Sequence, residues 1–285
     1  MGAFNQIKTA LLLGALTGIL LLIGWLLGGS TGLTFALIFS VLMNFGTYFF
    51  SDKIVLMMYK AKEADHKKHA WLHSMVSDVA KKAGVPKPRV YIVPMPISNA
   101  FATGRNPQNA VVAVTEGIMQ DLSREELKGV LAHEMAHVKN RDILISTIAA
   151  TIAGVISYVA LFARISAFSD REDRSILGIV GLILATILAP IAAMLIQLSI
   201  SRSREYLADE SGAHFLKDGK PLASALEKLE SSSKKKPLRA TGVTEATSHL
   251  FIVNPLSAQG MASLFSTSTH PPMKERILRL RGMKF

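Results

Sequence analysis

The sequence of 285 residues contains no cysteine. Disulfide bonds are therefore excluded, and so is any zinc site built from thiolates. A zinc ion in this chain would have to be held by histidine and carboxylate side chains. In known enzymes such a ligand set is typical of a catalytic site rather than a structural one.

Acidic residues are fewer than basic ones, 21 Asp and Glu against 32 Lys and Arg, which gives a formal net charge of +11. The mean hydropathy is nevertheless positive, at +0.32. This combination is unusual for a soluble enzyme, and it indicates that apolar residues are concentrated in membrane spans while the charges lie outside them. No nucleic-acid-binding motif accompanies the basic residues, so we expect no nucleic-acid partner.

Long stretches of the chain have almost no charged residues: 7–27, 33–50, 143–163 and 176–200. Each is close to the ~20 residues that a helix needs to cross a ~30 Å hydrocarbon core. A cleaved signal peptide is the alternative for the first run, and a buried helical hairpin of a soluble core is the alternative for the last two. The length of the runs favours four transmembrane helices.

The four runs divide the chain into a pair of transmembrane helices (1–51), a soluble part (52–142), a transmembrane hairpin (143–200) and a second soluble part (201–285). Four spans return the chain to its starting side, so both soluble parts and both termini share one compartment. Lysine and arginine flank the spans mainly on that side, and the positive-inside rule then places the soluble parts in the cytoplasm. The residues on that side are Lys53, Lys60, Lys62, Lys139, Arg141, Arg202 and Arg204.

The first soluble part begins with an amphipathic pattern that predicts a helix over 64–83, ended by Gly84 and Pro86. Three β patterns follow, at 89–93, 99–103 and 110–114. The sequence therefore predicts a small sheet of about three strands directly before the next helix.

That next helix carries the strongest signal in the chain, the motif H-E-M-A-H at 133–137. Ser123 and Glu126 form a capping box, so the helix is expected to begin near Arg124. His133 and His137 are four residues apart and fall on one helical face, from which both imidazoles can reach a single Zn²⁺. Glu134 lies about 100° further round the helix, where it is suited to take a proton from a zinc-bound water. The alternative is a pair of surface histidines with an incidental glutamate.

A catalytic zinc typically has three protein ligands, so a third is expected elsewhere in the chain. Glu205 and Asp209 follow the last apolar run at i and i+4, and an antiparallel pair of spans would return them to the membrane surface that bears His137. Glutamate has the longer reach, which favours Glu205 as the ligand and Asp209 as the residue that orients a ligand histidine. An ordinary juxtamembrane helix with scattered charges is the alternative.

The motif H-E-M-A-H, followed after two apolar runs by S-R-S-R-E-Y-L-A-D at 201–209, resembles the HtpX family of bacterial membrane metalloproteases, relatives of the type 1 CAAX prenyl proteases. The resemblance implies a mainly α membrane protein in which four transmembrane helices carry a zincin-like, gluzincin-type protease domain with a small β-sheet. It implies a zinc endopeptidase of the bacterial cytoplasmic (inner) membrane that degrades misfolded or damaged membrane proteins under stress. It also implies that His270 and Arg276 come close to the metal and stabilise the oxyanion.

Substrate is expected to add as a strand along Asn99, Ala100 and Phe101, because edge strands recognise extended peptides through main-chain hydrogen bonds. The expected partners are protein substrates and the lipid bilayer; the oligomeric state is not predicted. Two other classes of protein are the alternatives to a protease. A transporter or channel is disfavoured because, apart from Lys8, the apolar runs have no charged residue to line an ion pathway. A binding scaffold with an inactive zinc site is disfavoured by the intact Glu134.

Overall fold

The computed structural model describes residues 2–149, 151–152, 202–235, 250–253 and 271–285. Most of these residues are helical, and one small sheet accompanies the helices, as the sequence predicts. The predicted run at 176–200, most of the run at 143–163, and His270 lie outside the described residues.

The first helix, α1 (Gly2–Met58), consists of two helices that meet at a kink. Gly28 and Gly29 leave the helical conformation there, and Gly29 has a φ of 57°, which glycine adopts without the clash of a Cβ atom. Asn44 Nδ2 donates a hydrogen bond of 2.8 Å to Thr17 Oγ1 across the two halves. The predicted runs 7–27 and 33–50 are therefore helices that lie side by side.

The second half of α1, Gly28–Met58, is long and apolar enough to cross a membrane, with a mean hydropathy of 1.7. It is the one such helix among the residues that the structure describes. Large apolar side chains along it are exposed, for example Phe35 at 70% and Leu42 at 66%. An apolar helix with so little protein around it is what a lipid environment accommodates.

The sheet has four strands rather than the three predicted: β1 (Lys62–Glu63), β2 (Arg89–Val93), β3 (Ala100–Thr103) and β4 (Val111–Thr115). Their order across the sheet is β1-β2-β4-β3, with β2 and β4 parallel and the other pairs antiparallel. A single 3₁₀ turn, Pro107–Asn109, connects β3 to β4. Strand β3 therefore lies at one edge of the sheet.

The helix predicted over 64–83 begins later, as α2 (Ala70–Ala83). Ala64 N instead donates to Val90 O and extends the pairing of β1 with β2. Asp65 Oδ1 then accepts hydrogen bonds from Lys67 N and Lys68 N in the turn that precedes the helix. Sheet pairing and this turn outweigh the helical periodicity at 64–69.

The motif helix, α4 (Arg124–Lys139), packs between the sheet and the C-terminal helices. A short helix, α3 (Glu116–Asp121), precedes α4, and the C-terminal helices are α5 (Arg202–Leu216), α6 (Lys220–Lys235) and α7 (Met273–Gly282). Two glycines allow close approach: a Cβ on Gly129 would lie 2.6 Å from Leu222 N of α6, and one on Gly212 would lie 2.9 Å from His133 N. Because of Gly212, α5 lies directly against the motif.

The predicted capping box is present at the start of α4, and Glu126 also links α4 to α6. Its carboxylate accepts hydrogen bonds from Ser123 N at 2.7 Å, Ser224 Oγ at 2.7 Å and Lys228 Nζ at 2.8 Å. Burial opposes ionisation of this carboxyl, but the hydrogen bonds outweigh burial and lower the pKa of Glu126 to about 2.

We expect the Glu126→Gln variant to have a free energy of unfolding lower by about 1–2 kcal/mol at pH 7, since hydrogen bonds to a charged group are lost and Lys228 is half exposed. The folded-state pKa is below the ordinary value of 4.5, so this stabilisation is complete above pH 4.5 and is lost as the pH falls towards about 2. Thermal unfolding at pH 7 and pH 3 measures the difference. Glu125→Gln, an exposed neighbour in the same helical turn, is the control. An equal deficit at both pH values would contradict the prediction.

Candidate metal and catalytic site

Two histidines of α4 and one glutamate of α5 converge at one point. His133 Nε2 lies 3.2 Å from His137 Nε2, and the Glu205 carboxylate oxygens lie 3.6 Å from His133 Nε2 and 3.4 Å from His137 Nε2. A tetrahedron with metal–ligand bonds of about 2.0–2.2 Å has edges of about 3.3–3.6 Å. The three separations therefore fit ligands of one zinc-sized ion. No other group of three His, Asp or Glu side chains in the described ranges has this arrangement.

The charges around this point also fit a divalent cation. Four carboxylates and two guanidinium groups, all largely buried, surround the histidines: Glu134, Asp142, Glu205, Asp209, Arg204 and Arg276. Among these six side chains of the described ranges, carboxylates outnumber guanidinium groups by four to two. An excess of buried carboxylates favours a bound cation.

Glu134 is held beside the ligands by the edge strand of the sheet. Its side chain is buried, and Ala102 N of β3 donates a hydrogen bond of 2.9 Å to its Oε2. Burial raises the pKa of Glu134, a shift that the neighbouring His133 and His137 oppose. A carboxyl whose pKa is raised towards neutrality is suited both to accept a proton and to return it.

His137 and Glu205 alter each other's protonation. Burial opposes the charge on His137, but the hydrogen bonds with Asp142 and Glu205 outweigh burial and raise its pKa well above the usual range. Burial likewise opposes ionisation of Glu205, yet His137 and then Arg276 hold its pKa well below the usual range. Metal binding at His137 must therefore displace a proton, because a metal binds the neutral imidazole.

Asp209 lies beside His133, and its Oδ1 is 2.9 Å from His133 Nδ1. The same carboxylate accepts two hydrogen bonds of 2.7 Å from Arg276, through Nε and Nη2. Asp209 therefore contacts both His133 and a buried arginine.

Arg276 is close to the ligands but does not face the cleft. Its side chain is completely buried, and its Nη1 lies 3.5 Å from Glu205 Oε2. The structure thus places Arg276 behind Glu205 and Asp209, where its charge acts on the ligand carboxylate. The predicted contact of Arg276 with a substrate oxyanion stays a prediction.

Asp142 also belongs to the site, although the sequence patterns identify it only as the last residue of the first soluble part. Its Oδ2 accepts a hydrogen bond of 3.1 Å from His137 Nδ1, and its Oδ1 lies 4.0 Å from Arg204 Nη1. A signal was available, since Asp142 is an acidic residue only five positions after His137.

The cleft beside His133, His137 and Glu205 has mostly apolar walls. They are formed by Phe101, Ala102, Ile143, Leu250, Phe251 and Ile252. The segment 250–252 was not predicted to be part of the site, and no local pattern identifies it. It is held by Asn99, whose Nδ2 donates to Leu250 O at 3.4 Å and whose Oδ1 accepts from Ile252 N at 3.2 Å.

The three residues predicted to bind substrate therefore differ in position. The backbone of Asn99 forms hydrogen bonds with Thr115, the last residue of β4, and its side chain contacts the cleft wall. Phe101 lines the cleft, and its backbone faces Ala113 of β4. In an antiparallel pair the hydrogen-bonding direction alternates, so Ala100 and Ala102 direct their backbone groups away from β4, and the Ala102 N–H donates to Glu134 there.

Comparison with known proteins shows what this chain is similar to. The model of peptidase family M48 matches residues 66–284. Proteins named Protease HtpX homolog are similar to the chain over almost its whole length. The one from Persephonella marina is 56% identical over 98% of this chain and 97% of its own. The one from Pyrococcus furiosus is 53% identical over 99% of this chain and 96% of its own.

A solved structure is similar in fold. The crystal structure of S. mikatae Ste24p aligns with a TM-score of 0.51 and 20% sequence identity. The alignment covers 98% of this chain but only 64% of that protein. At this identity the similarity concerns the fold alone.

Proposed function

The chain belongs to peptidase family M48, and on that premise we propose that it is a zinc-dependent endopeptidase of the membrane whose active site faces the cytoplasm. Family membership makes it a membrane-associated protease of the HtpX type. The observation that carries the zinc assignment is the set of separations of 3.2, 3.4 and 3.6 Å among the ligand atoms of His133, His137 and Glu205. We propose these three residues as the zinc ligands.

Zinc bound there would lower the pKa of a bound water to about 7 and polarise the scissile carbonyl. Glu134 takes the proton of the attacking water and passes it to the leaving amine. The hydrogen bond from Ala102 N keeps the Glu134 carboxylate directed at the ligand group. Strand β3 therefore fixes the base on the same edge to which an extended substrate would be added.

Three further residues support this chemistry. Asp209 orients His133, and Arg276 holds Asp209 while it compensates the charge of Glu205. We assign the stabilisation of the oxyanion to His270. A positive or hydrogen-bonding group acts most strongly on an oxyanion in a water-poor site. Arg276 contributes its positive charge from behind the ligands.

The membrane arrangement that we propose has four spans, with 1–51 and 143–200 in the bilayer and 52–142 and 201–285 in the cytoplasm. The end of α1 supports it. Tyr48, Phe49 and Phe50 are exposed there, Lys53 Nζ lies 5.2 Å from the Phe50 ring, and the Arg105 guanidinium lies 5.1 Å from the Phe49 ring. Aromatic and basic residues of this kind are enriched at the membrane–water interface.

In the cell, we propose, this protease resides in the bacterial cytoplasmic membrane and removes misfolded or damaged membrane proteins under stress. Its site, at the level where α1 leaves the bilayer, is suited to unfolded segments that emerge from the membrane. Recognition of the substrate main chain along β3 requires no particular substrate sequence. A protease that removes many different damaged proteins needs this property.

Metal analysis together with proteolysis tests the function. The detergent-purified full chain is expected to contain one zinc per chain, to degrade casein, to lose activity with a chelator and to regain it when zinc is added. Full casein degradation by the metal-free protein would refute the proposal. Stoichiometric zinc without any proteolysis would favour the alternative of a binding scaffold with an inactive zinc site.

Substrate pairing with β3 is tested at Ala100, whose N–H is directed away from β4, and not at Asn99, whose N–H already donates to Thr115 Oγ1. We expect Ala100→Pro to slow casein cleavage about tenfold, since a lost hydrogen bond is worth about 1–1.5 kcal/mol, while zinc content is unchanged. Glu63→Pro is the matched control, because Glu63 is the corresponding outward-facing position on the opposite edge strand, β1. Normal cleavage by a folded Ala100→Pro variant would place the substrate elsewhere.

A further inference from the structure

His137 forms a hydrogen bond with a carboxylate through the ring nitrogen that does not face Glu205. His137 Nδ1 lies 3.1 Å from Asp142 Oδ2 with hydrogen-bond geometry. Asp209, the carboxylate beside His133, also accepts two hydrogen bonds from Arg276. The Asp142 side chain is 6% exposed, so water competes little for the carboxylate.

The backbone brings Asp142 to this position by an unusual turn. Helix α4 ends at Lys139, and the N–H of the C-cap residue Asn140 donates to Ala136 O. Arg141 then has a φ of 59°, a left-handed conformation that costs a non-glycine residue roughly 1–2 kcal/mol. The next helical segment begins at Asp142, directly after this turn. Strain of this kind persists where the surrounding structure requires it, often at functional sites.

Arg204 approaches the same carboxylate from the other half of the site. Its Nη1 lies 4.0 Å from Asp142 Oδ1, and its side chain is only 10% exposed. Arg204 directly precedes the proposed ligand Glu205 on α5. Asp142 therefore connects the helix that carries His137 to the helix that carries Glu205.

We propose that Asp142 is a positioning residue for His137: by accepting the Nδ1 proton it fixes the tautomer whose Nε2 lone pair faces Glu205. The proposal rests on the proposed metal function of His137. An imidazole with its proton on Nδ1 has Nε2 free to bind a metal, and an acceptor at Nδ1 also makes Nε2 a stronger donor. Without Asp142 the ring would be free to rotate and to exchange tautomers, and the ligand group would lose affinity for metal.

The test compares zinc affinity in full-length, detergent-purified variants by competition with a chelator. We expect the dissociation constant for zinc to rise by about 10-fold in Asp142→Asn, which keeps a neutral acceptor, and by up to about 100-fold in Asp142→Ala. Asp142→Glu is expected to recover part of the affinity. Glu210→Gln, which removes an exposed charge from α5, is the control and is expected to bind zinc like the wild type.

A purely structural role would lower the thermal unfolding temperature of the metal-free protein without changing zinc affinity once the protein is folded. Wild-type zinc affinity in a folded Asp142→Asn variant would therefore overturn the proposal, and that variant decides the question even if Asp142→Ala does not fold. Absence of stoichiometric zinc from the wild type and from Glu210→Gln would instead refute the proposed function itself.

Discussion

Replacing Glu134 by glutamine is expected to leave zinc bound while the turnover number for casein falls by about 10²–10⁴-fold, the usual contribution of a positioned general base. Glutamine has the same shape as glutamate, and its amide oxygen can still accept the hydrogen bond from Ala102 N. The three ligand side chains are untouched. The properties that are lost are the negative charge and the ability to accept a proton.

Zinc content and casein turnover are measured on the same preparation of Glu134→Gln. Glu116→Gln, an exposed glutamate at the start of α3, is the control for the loss of one negative charge. Turnover equal to that of the wild type would remove Glu134 from the mechanism. Loss of zinc would show that Glu134 supports the ligand group rather than the proton transfer.

Glu205→Ala is expected to abolish both zinc retention and proteolysis. His133 and His137 alone do not complete the three-ligand shell that catalytic zinc typically has. The variant also removes the carboxylate that lies 3.5 Å from Arg276 Nη1, so the positive charge of the buried guanidinium is less fully compensated. The loss of a ligand and the weaker attraction for a dication act in the same direction.

Asp209 provides the comparison for Glu205. Asp209→Asn is expected to weaken zinc binding by roughly 10–100-fold without abolishing it, as a residue that orients a ligand does. Asparagine is preferable to alanine here, because alanine would leave the buried Arg276 without both of its hydrogen bonds, at a cost of about 3–5 kcal/mol. If Asp209→Asn lost the metal while Glu205→Ala retained it, the two roles would be exchanged.

Local patterns predicted the parts of this protein that neighbouring residues decide. The helix from Arg124 to Lys139 begins where the capping box indicates, because Ser123 and Glu126 satisfy backbone groups within one turn. His133 and His137 share a face because a helix repeats every 3.6 residues. The strands β2 and β4 lie within one residue of their predicted ranges, since alternating apolar residues define a strand locally.

Other predictions of local structure failed where a distant partner competes. The six residues 64–69 have a helical pattern in the sequence, but they do not form a helix, because Ala64 pairs with Val90 of the neighbouring strand. Strand β1 has two residues, too few for any alternation to be visible in the sequence. The order β1-β2-β4-β3 likewise has no local signal, because strand order depends on contacts across the sheet.

The sequence by itself determined the chemistry available to this protein: no thiolates, two histidines on one helical face, a glutamate beside them, and apolar runs long enough for a membrane. The tertiary structure alone decided how that chemistry is assembled. It brings Glu205 within 3.6 Å of His133, aligns Asp142 with His137, and places Arg276 behind the ligands and segment 250–252 over the cleft. Apart from the contact of Asp142 with His137, these contacts join residues far apart in the chain, and burial with charge compensation, which no local pattern encodes, holds them together.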